Sequence, residues 1–216
     1  MAHSAVRADR GVAPPRPCQP DVIGPPPARL GGFVAKVFAW LPVMFVVWYF
    51  AAPVLMWPAA LLVDLVARWG FSDMVQGVEQ ARTILTFATT IKPGSTSTRG
   101  GEITVDVDLL LYSFGLPLYA ALVLAAKEPR WPRLLIIGYV ALMPFVAWGV
   151  LADFLKNVAI TMGPQIASQT GFGAWQREAI AFAYQFGALI LPTVVPAVAW
   201  VLTHRAFLEH LKLAPR

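Results

Sequence analysis

The residue types that most often carry enzyme chemistry are scarce in this chain and far apart in its sequence. The three histidines are His3, His204 and His210, and the one cysteine is Cys18. A serine or cysteine nucleophile needs a base such as histidine within hydrogen-bond reach, and we expect all three histidines to lie in cytoplasmic tails. The sequence therefore predicts no catalytic triad unless a partner protein donates residues to one.

Sequence motifs for cofactors and metals are also missing. The chain contains no HExxH, no GxGxxG, no P-loop and no CxxC pair. We therefore predict a protein that has no catalytic residues, binds no cofactor and holds no metal ion.

The composition indicates a membrane protein. Of the 216 residues, 57% are hydrophobic and 13% are charged, and the mean hydropathy is +0.61. Soluble domains carry about 25% charged residues. The net charge of +5 would suit nucleic acid, but the basic residues lie at the ends of apolar runs and form no stripe with aromatic side chains. This pattern predicts the lipid bilayer as a partner and argues against nucleic-acid binding.

Four apolar runs are long enough to cross a membrane as helices, which takes about 20 residues each. They cover residues 38–57, 109–126, 134–152 and 179–203. The segment after Pro58 carries Asp64 and Arg68 among leucines and valines, which is typical of an amphipathic helix at the membrane surface. We expect a disordered proline-rich tail at 1–32 and a membrane domain at 33–207. The membrane domain has two outer segments, 58–108 and 153–178, and a short second tail follows at 208–216.

The positions of lysine and arginine predict the orientation of these spans. With both termini in the cytoplasm, the inner segments hold eleven of the 17 basic residues and four acidic ones. The outer segments then hold six basic and eight acidic residues. Because cytoplasmic loops are enriched in lysine and arginine, we predict that both termini face the cytoplasm.

Two stretches of the first outer segment show the alternation of side chains that is typical of a β-strand. Residues 83–89 are rich in β-branched side chains, and in EITVDVD the apolar Ile103, Val105 and Val107 alternate with polar residues. We predict a hairpin, with Asp108 at the water boundary where the next helix enters lipid. The expected fold is an all-α polytopic membrane protein with four transmembrane helices, an interfacial amphipathic helix and a small extracytoplasmic β-hairpin.

Few polar side chains lie deep in the predicted spans. Gln185, beside Tyr184 in the last span, is the best candidate for a hydrogen bond between helices. A small transporter or channel subunit remains an alternative function. It predicts water-lined polar faces, which these spans lack, and loss of reconstituted flux on Gln185→Leu would favour it.

Five blocks of the sequence resemble a known family. They are FAWLPVMFVVWYFAAPVLMWP, the VEQ at 78–80, DLLLYSFGLPLYAALVLA, FVAWGVLADFLK and WQREAIAFAYQFGALILPTVVPAVAW. In this order, over residues 33 to about 207, they resemble the membrane protein associated with exosortase H in Gram-negative bacteria. The resemblance implies an inner-membrane partner of the exosortase, the enzyme that processes proteins bearing a C-terminal sorting signal.

The resemblance and the residues together predict a non-catalytic accessory protein that binds or positions the exosortase or its substrate. We expect the contact surface on the outer side, where an exposed strand edge would accept a substrate strand. Substitution of Val105 by proline would test that edge. The candidate contact residues are Glu79, Gln80, Ile103, Val105, Val107, Asp108, Tyr112, Trp175, Tyr184 and Gln185.

Overall fold

A computed structural model describes residues 30–92 and 103–205 of the chain. The predicted tail at 1–32 lies outside this part, except for residues 30–32, which begin the first helix. The tail at 208–216 and the loop at 93–102, which joins the two predicted hairpin strands, also lie outside the described residues.

Helices dominate the described residues. In chain order they are α1 (Leu30–Leu55), α2 (Trp57–Gly70), α3 (Leu110–Ser113), α4 (Gly115–Ala126), α5 (Trp131–Lys156), α6 (Pro164–Gln169), α7 (Ala174–Gln185) and α8 (Leu191–Thr203). Two π-helical segments continue α5 and join α7 to α8, at Asn157–Thr161 and Phe186–Ile190. Between α2 and α3 lie three strands, β1 (Val75–Ala81), β2 (Ile84–Thr89) and β3 (Thr104–Asp108).

Three helices in the described ranges are long and apolar enough to cross a membrane, at Gly31–Leu55, Trp131–Thr161 and Ala174–Thr203. The predicted second span is the shorter apolar helix Leu110–Ala126, which is interrupted at Phe114 between α3 and α4. Its length is about 25 Å, less than the roughly 30 Å of a hydrocarbon core. The structure therefore confirms a mostly helical protein with three candidate membrane-spanning helices and does not confirm the fourth span.

The first apolar run is divided into two helices next to Pro58. α1 ends at Leu55, and α2 begins at Trp57 with Pro58 in its first turn. Proline has no N–H to donate but fits the first turn of a helix, so the chain begins a new helix here. α2 packs against α5 and β1 and buries a row of small residues, Ala59, Ala60, Val63 and Ala67.

The three strands form one antiparallel sheet in the order β1-β2-β3. β2 and β3 pair with Phe87 opposite Val105, which confirms the predicted hairpin. β1 adds a third strand that the sequence did not predict, and its register shifts at a bulge between Val75 and Gly77. The free edges of this sheet belong to β1 and β3.

One face of the sheet packs on the far end of α5. Phe87, Val105 and Val107 are all at most 2% exposed. The Phe87 ring stacks on Phe154 of α5, with ring centroids 4.3 Å apart. We call this end of the helix bundle the sheet end.

The opposite end of the bundle brings the start of α1 to the end of α8. The Phe33 ring stacks on Trp200 at a centroid distance of 5.3 Å, and Trp200 stacks on the buried His204 at 5.2 Å. The first and last described helices therefore meet on the same side of the bundle, which we call the terminal end.

Two glycines permit close packing inside the bundle. A Cβ atom at Gly187, in the second π-helical segment, would lie 3.0 Å from the Cα atom of Gly149 in α5. A Cβ atom at Gly149 would overlap the ring of Tyr112. Small residues let membrane helices approach closely, so these positions bring α3, α5 and the segment after α7 into contact.

Candidate functional site

Five polar side chains meet between α3, α5 and α7, towards the sheet end of the bundle. Asp153, Lys156 and Asn157 lie on one face of α5 and the turn that follows it, because residues three and four apart are neighbours on a helix. Tyr112 of α3 and Tyr184 of α7 face them. We call these five residues the polar cluster.

An ion pair forms the centre of the polar cluster. Lys156 Nζ lies 2.7 Å from Asp153 Oδ1, and Asn157 Nδ2 donates to the same oxygen at 3.3 Å. The Lys156 ammonium also lies 4.1 Å from the centroid of the Tyr184 ring, which is a cation–π contact. Asp153 is only 9% exposed, so its charge is compensated by these neighbours instead of by water.

Close packing fixes Tyr112 in the polar cluster. Its side chain is buried, and its ring lies against Gly149. The hydroxyl lies beside the Asp153 carboxylate without the geometry of a hydrogen bond, and Tyr184 is its other polar neighbour. The structure thus brings together Tyr112 and Tyr184, two of the contact residues predicted from the sequence.

The two π-helical segments adjoin the polar cluster. The first begins at Asn157, a member of the cluster, and the second begins at Phe186, two residues after Tyr184. A π turn inserts one residue into a helix and changes which side chains face the interior, and such turns are frequent at functional sites. Both helices therefore change their facing residues as they leave the cluster.

The polar cluster is arranged to hold charge in balance, and it lacks the pairing of a nucleophile with a base. His204 is the only histidine in the described ranges, and about 30 Å of helix separates it from Tyr184. Within residues 30–92 and 103–205, no group of three histidine, cysteine, aspartate or glutamate side chains could hold a metal ion. The ion pair lies within α5, and the cation–π contact of Lys156 with Tyr184 joins α5 to α7.

A second set of polar contacts lies where α1 ends. Gln80 of β1 donates from Nε2 to the carbonyl of Pro53 at 3.1 Å and to the carbonyl of Arg82 at 2.7 Å. Tyr139 of α5 donates to the carbonyl of Leu55 at 2.6 Å. The last carbonyls of a helix have no partner within that helix, so these two side chains cap α1 and tie it to the sheet and to α5.

Comparison with known proteins identifies the family. The model of the exosortase H-associated membrane protein family matches residues 27–207. The chain belongs to this family. The match includes every described helix and strand, and therefore both the polar cluster and the capped end of α1. No curated protein and no solved structure matches the chain.

The remaining predicted contact residues are not gathered at one place. Glu79 is exposed on β1, Ile103 is half-buried beside β3, and Trp175 is 79% exposed at the start of α7. Val105 and Val107 face the core of the protein. Their side chains are therefore not available to a partner, whereas no other strand among the described residues pairs with the outer edge of β3.

Asp108 is exposed as the sequence suggested, whereas Gln185 lacks the predicted hydrogen bond in the part of the chain that the structure describes. Asp108 is exposed, and its Oδ1 atom accepts the N–H of Leu110, the first residue of α3, at 3.0 Å. The Gln185 side chain is exposed and makes no hydrogen bond with any described residue. The expected bond from Gln185 to another helix is thus not formed within this part of the chain.

Sequence reasoning did not find Asp153, Lys156, Asn157 or Tyr139. The spacing of the charged and polar residues in DFLKN, 153–157, was the available signal for the first three, because it places them on one helix face. Tyr139 gave no signal, because its partner is a backbone carbonyl 84 positions away in the chain.

Proposed function

We propose that this protein is a non-catalytic inner-membrane accessory protein of an exosortase system, which binds or positions the exosortase or its sorted substrate. The observation that carries this proposal is the family match over residues 27–207, because the family is described by its association with exosortase H. The balanced ion pair of the polar cluster, without a neighbouring histidine among the described residues, supports an accessory role.

We further propose four membrane spans with both termini in the cytoplasm. The stack of Phe33 on Trp200 supports an even number of crossings, since it places the start of α1 and the end of α8 on one side of the bundle. A span as short as Leu110–Ala126 is tolerated where the bilayer thins locally around it. The excess of lysine and arginine near the terminal end supports the orientation.

The exposed amide of Gln185 supports a contact with a partner helix inside the membrane. Gln185 lies 11 residues into the candidate span Ala174–Thr203, on a face that also exposes Phe182 and Leu189. An amide that faces lipid lacks the hydrogen bonds that water would give it, and such side chains commonly bond across helices. We propose that this face of α7 and the following segment contacts a transmembrane helix of the exosortase.

Substitution of Gln185 by leucine tests this contact. We expect co-purification with the exosortase of the same bacterium to weaken about threefold to twentyfold, the range that one hydrogen bond between membrane helices contributes. Gln165→Leu, at an exposed position of α6 outside the candidate spans, is the matched control and should bind like the wild type. Equal binding by the Gln185 variant would contradict the contact, and loss of ion or solute flux in proteoliposomes would favour the transport alternative.

The edge of β3 supports a second contact, with an extended segment of the substrate. Hydrogen-bonded pairs alternate along antiparallel strands. The N–H of Thr89 donates to the carbonyl of Ile103 at 3.2 Å, and the N–H of Leu109 donates to the carbonyl of Thr83 at 2.9 Å. The backbone groups of Val105 therefore point to β2, and those of residues 104, 106 and 108 point away, to an edge with no further strand among the described residues.

Because of this register, the free edge of β3 is tested by a proline at Asp106 and not by a proline at Val105. A proline at Val105 would remove a bond within the sheet and disturb a buried side chain, so it would unfold the sheet itself. Asp106→Pro removes an outward N–H instead. We expect it to weaken binding of a substrate's C-terminal sorting segment about twofold to tenfold, the contribution of one hydrogen bond.

Asp106→Ala is the matched control for the edge experiment. It removes the hydrogen bond from Thr86 Oγ1 to Asp106 Oδ1, which is 2.7 Å long, but keeps the backbone N–H. The proposal requires the proline variant to bind less tightly than the alanine variant. If the two variants bind the segment equally, the edge is not a docking site.

A further inference from the structure

A pocket of about 410 Å³ lies between the first π-helical segment, α6 and the first turns of α7. Apolar side chains form most of its wall, among them Ala159, Ile160, Ala167 and Ala181. Arg177 and Glu178, adjacent in the chain, bring both a positive and a negative charge to the same pocket. It is separate from the polar cluster and from the capped end of α1.

Arg177 has no partner for its charge within the described chain. Its Nε atom is buried and has no hydrogen-bond acceptor among the described residues. Neither ion pair found in these ranges includes Arg177 or Glu178. Because a buried donor left without an acceptor is destabilising, the geometry favours a ligand that brings an anionic oxygen to Arg177.

The position of the pocket relative to the candidate spans indicates the kind of ligand. Ala159 and Ile160 belong to the last turn of the span Trp131–Thr161, and Arg177 and Glu178 lie in the first two turns of the span Ala174–Thr203. The exposed Trp175 beside them is typical of a residue at the level of the lipid headgroups. The pocket therefore lies where a lipid presents its phosphate above its apolar chains.

We propose that this pocket binds the headgroup of a zwitterionic phospholipid that carries a primary ammonium group. Arg177 contacts the phosphate, Glu178 contacts the ammonium, and the alanine-rich wall contacts the first carbons of the acyl chains. A headgroup with both charges matches a site with both charges, whereas a headgroup that carries only the negative phosphate would leave Glu178 without a cation. The inference concerns lipid binding and is independent of the proposed exosortase contact.

The test measures lipid binding by the purified full chain in detergent, with native mass spectrometry to count bound molecules. The probes are phosphatidylethanolamine, phosphatidylcholine and phosphatidylglycerol of the same acyl length, with inorganic phosphate as a soluble competitor. We expect phosphatidylethanolamine to bind most tightly, because a trimethylammonium group cannot donate hydrogen bonds to Glu178 and a glycerol group carries no positive charge. If inorganic phosphate displaces the lipid at equal concentration, the pocket is a site for free anions and the lipid proposal is wrong.

Two variants separate the roles of the charged residues. Arg177→Gln should weaken binding of all three lipids by about tenfold or more, since each phosphate loses a charged donor. Glu178→Gln should weaken phosphatidylethanolamine most, by about tenfold, and leave phosphatidylglycerol unchanged, and so reduce the preference among the lipids. Arg82→Gln, at an exposed turn between β1 and β2, is the control and should change nothing.

Lipid binding must be compared among variants that fold. Thermal unfolding of each variant, followed by tryptophan fluorescence, verifies this, and Arg177→Lys should recover part of the binding because it restores the charge. If Arg177→Gln folds and still binds phosphatidylethanolamine like the wild type, the proposal is wrong. If Arg177→Gln fails to fold, the lipid preference of the Glu178→Gln variant decides the question, and an unchanged preference overturns the proposal.

Discussion

The sheet and the helix bundle of this protein are held together in different ways. The sheet buries an apolar face that carries Leu85 and Phe87, and it presents polar residues such as Asp106 on the other face. The helices expose large apolar side chains instead, with Phe38 71% and Phe50 78% exposed. The hydrophobic effect drives burial in water but gives helices in lipid no such driving force.

Close backbone contacts and hydrogen bonds therefore contribute a larger share of the stabilising free energy in the bundle than in the sheet. The approach of Gly187 to Gly149 and the bond from Tyr139 to Leu55 are examples. Removal of a buried apolar side chain should therefore destabilise the sheet. The bundle should be destabilised by a larger side chain where two helices pack closely, or by removal of a hydroxyl group that bonds two helices.

The largest effect is expected for Phe87→Ala. Phe87 is completely buried and stacks on Phe154, so its removal leaves a cavity between the sheet and α5. We expect the free energy of unfolding to fall by about 3–5 kcal/mol. Equilibrium unfolding in mixed micelles of rising SDS content measures the change. Ile84→Ala, on the exposed face of the same strand, should lie within about 0.5 kcal/mol of the wild type.

Gly149→Ala should have a smaller but clear effect on the bundle. Its new Cβ atom would lie 2.9 Å from Tyr112 Cγ and closer still to the ring edge, so α3 would have to move away from α5. We expect a loss of about 1–3 kcal/mol in the same unfolding assay, the usual cost of overpacking. Gly32→Ala, in α1 with no atom within 4 Å of the added carbon, is the control. A Gly149 variant as stable as that control would contradict close packing at this crossing.

The smallest of these effects is expected for Tyr139→Phe. The variant keeps the ring but removes the donor that caps the carbonyl of Leu55 at 2.6 Å. Hydrogen bonds between membrane helices contribute about 0.6 kcal/mol on average and up to about 1.7 kcal/mol. Tyr49→Phe removes an exposed hydroxyl that makes no side-chain hydrogen bond with the described residues, and it should have no measurable effect. Equal stability of the two variants would show that the cap contributes nothing.

The hairpin of β2 and β3 was predictable because its side chains alternate strictly. Apolar residues at every second position of EITVDVD define a buried face, and the register observed between β2 and β3 agrees with that alternation. Aspartate before an apolar run predicted an exposed residue at the start of a helix, and Asp108 is exposed and bonds to the N–H of Leu110 at the start of α3. Local residue types determined both features.

Strand β1 was not predictable by the same reasoning. The bulge between Val75 and Gly77 inserts a residue, so Val75 and Val78 both turn towards the core although their spacing is odd. Gln80 also obscures the alternation of apolar and polar residues along β1. It is a polar residue on the face of the sheet that packs on the bundle, where its amide caps α1 instead of facing water. The break at Phe114 within the second apolar run was missed for a related reason, because uniform apolar composition carries no periodic signal.

The candidate site was predictable only in part. Tyr112 and Tyr184 were chosen as rare polar groups in apolar helices, and the structure brings them together with Asp153 and Lys156. Their meeting depends on which faces of three helices touch, and no pair of these helices is adjacent in the chain. Gln185 was chosen on the same basis, but its side chain is exposed. A single sequence does not distinguish a residue that faces another helix of the same chain from one that faces lipid.

The stack of Phe87 on Phe154 also sets an order of events during synthesis. Phe154 follows Phe87 by 67 positions in the chain, and the ribosome adds about 5–20 residues per second. For roughly 3–13 s the completed β2 strand therefore has no α5 to dock on. Throughout that delay the apolar face of β2 lacks the Phe154 ring, so α5, the fifth helix in the chain, completes the folding of a sheet made before it.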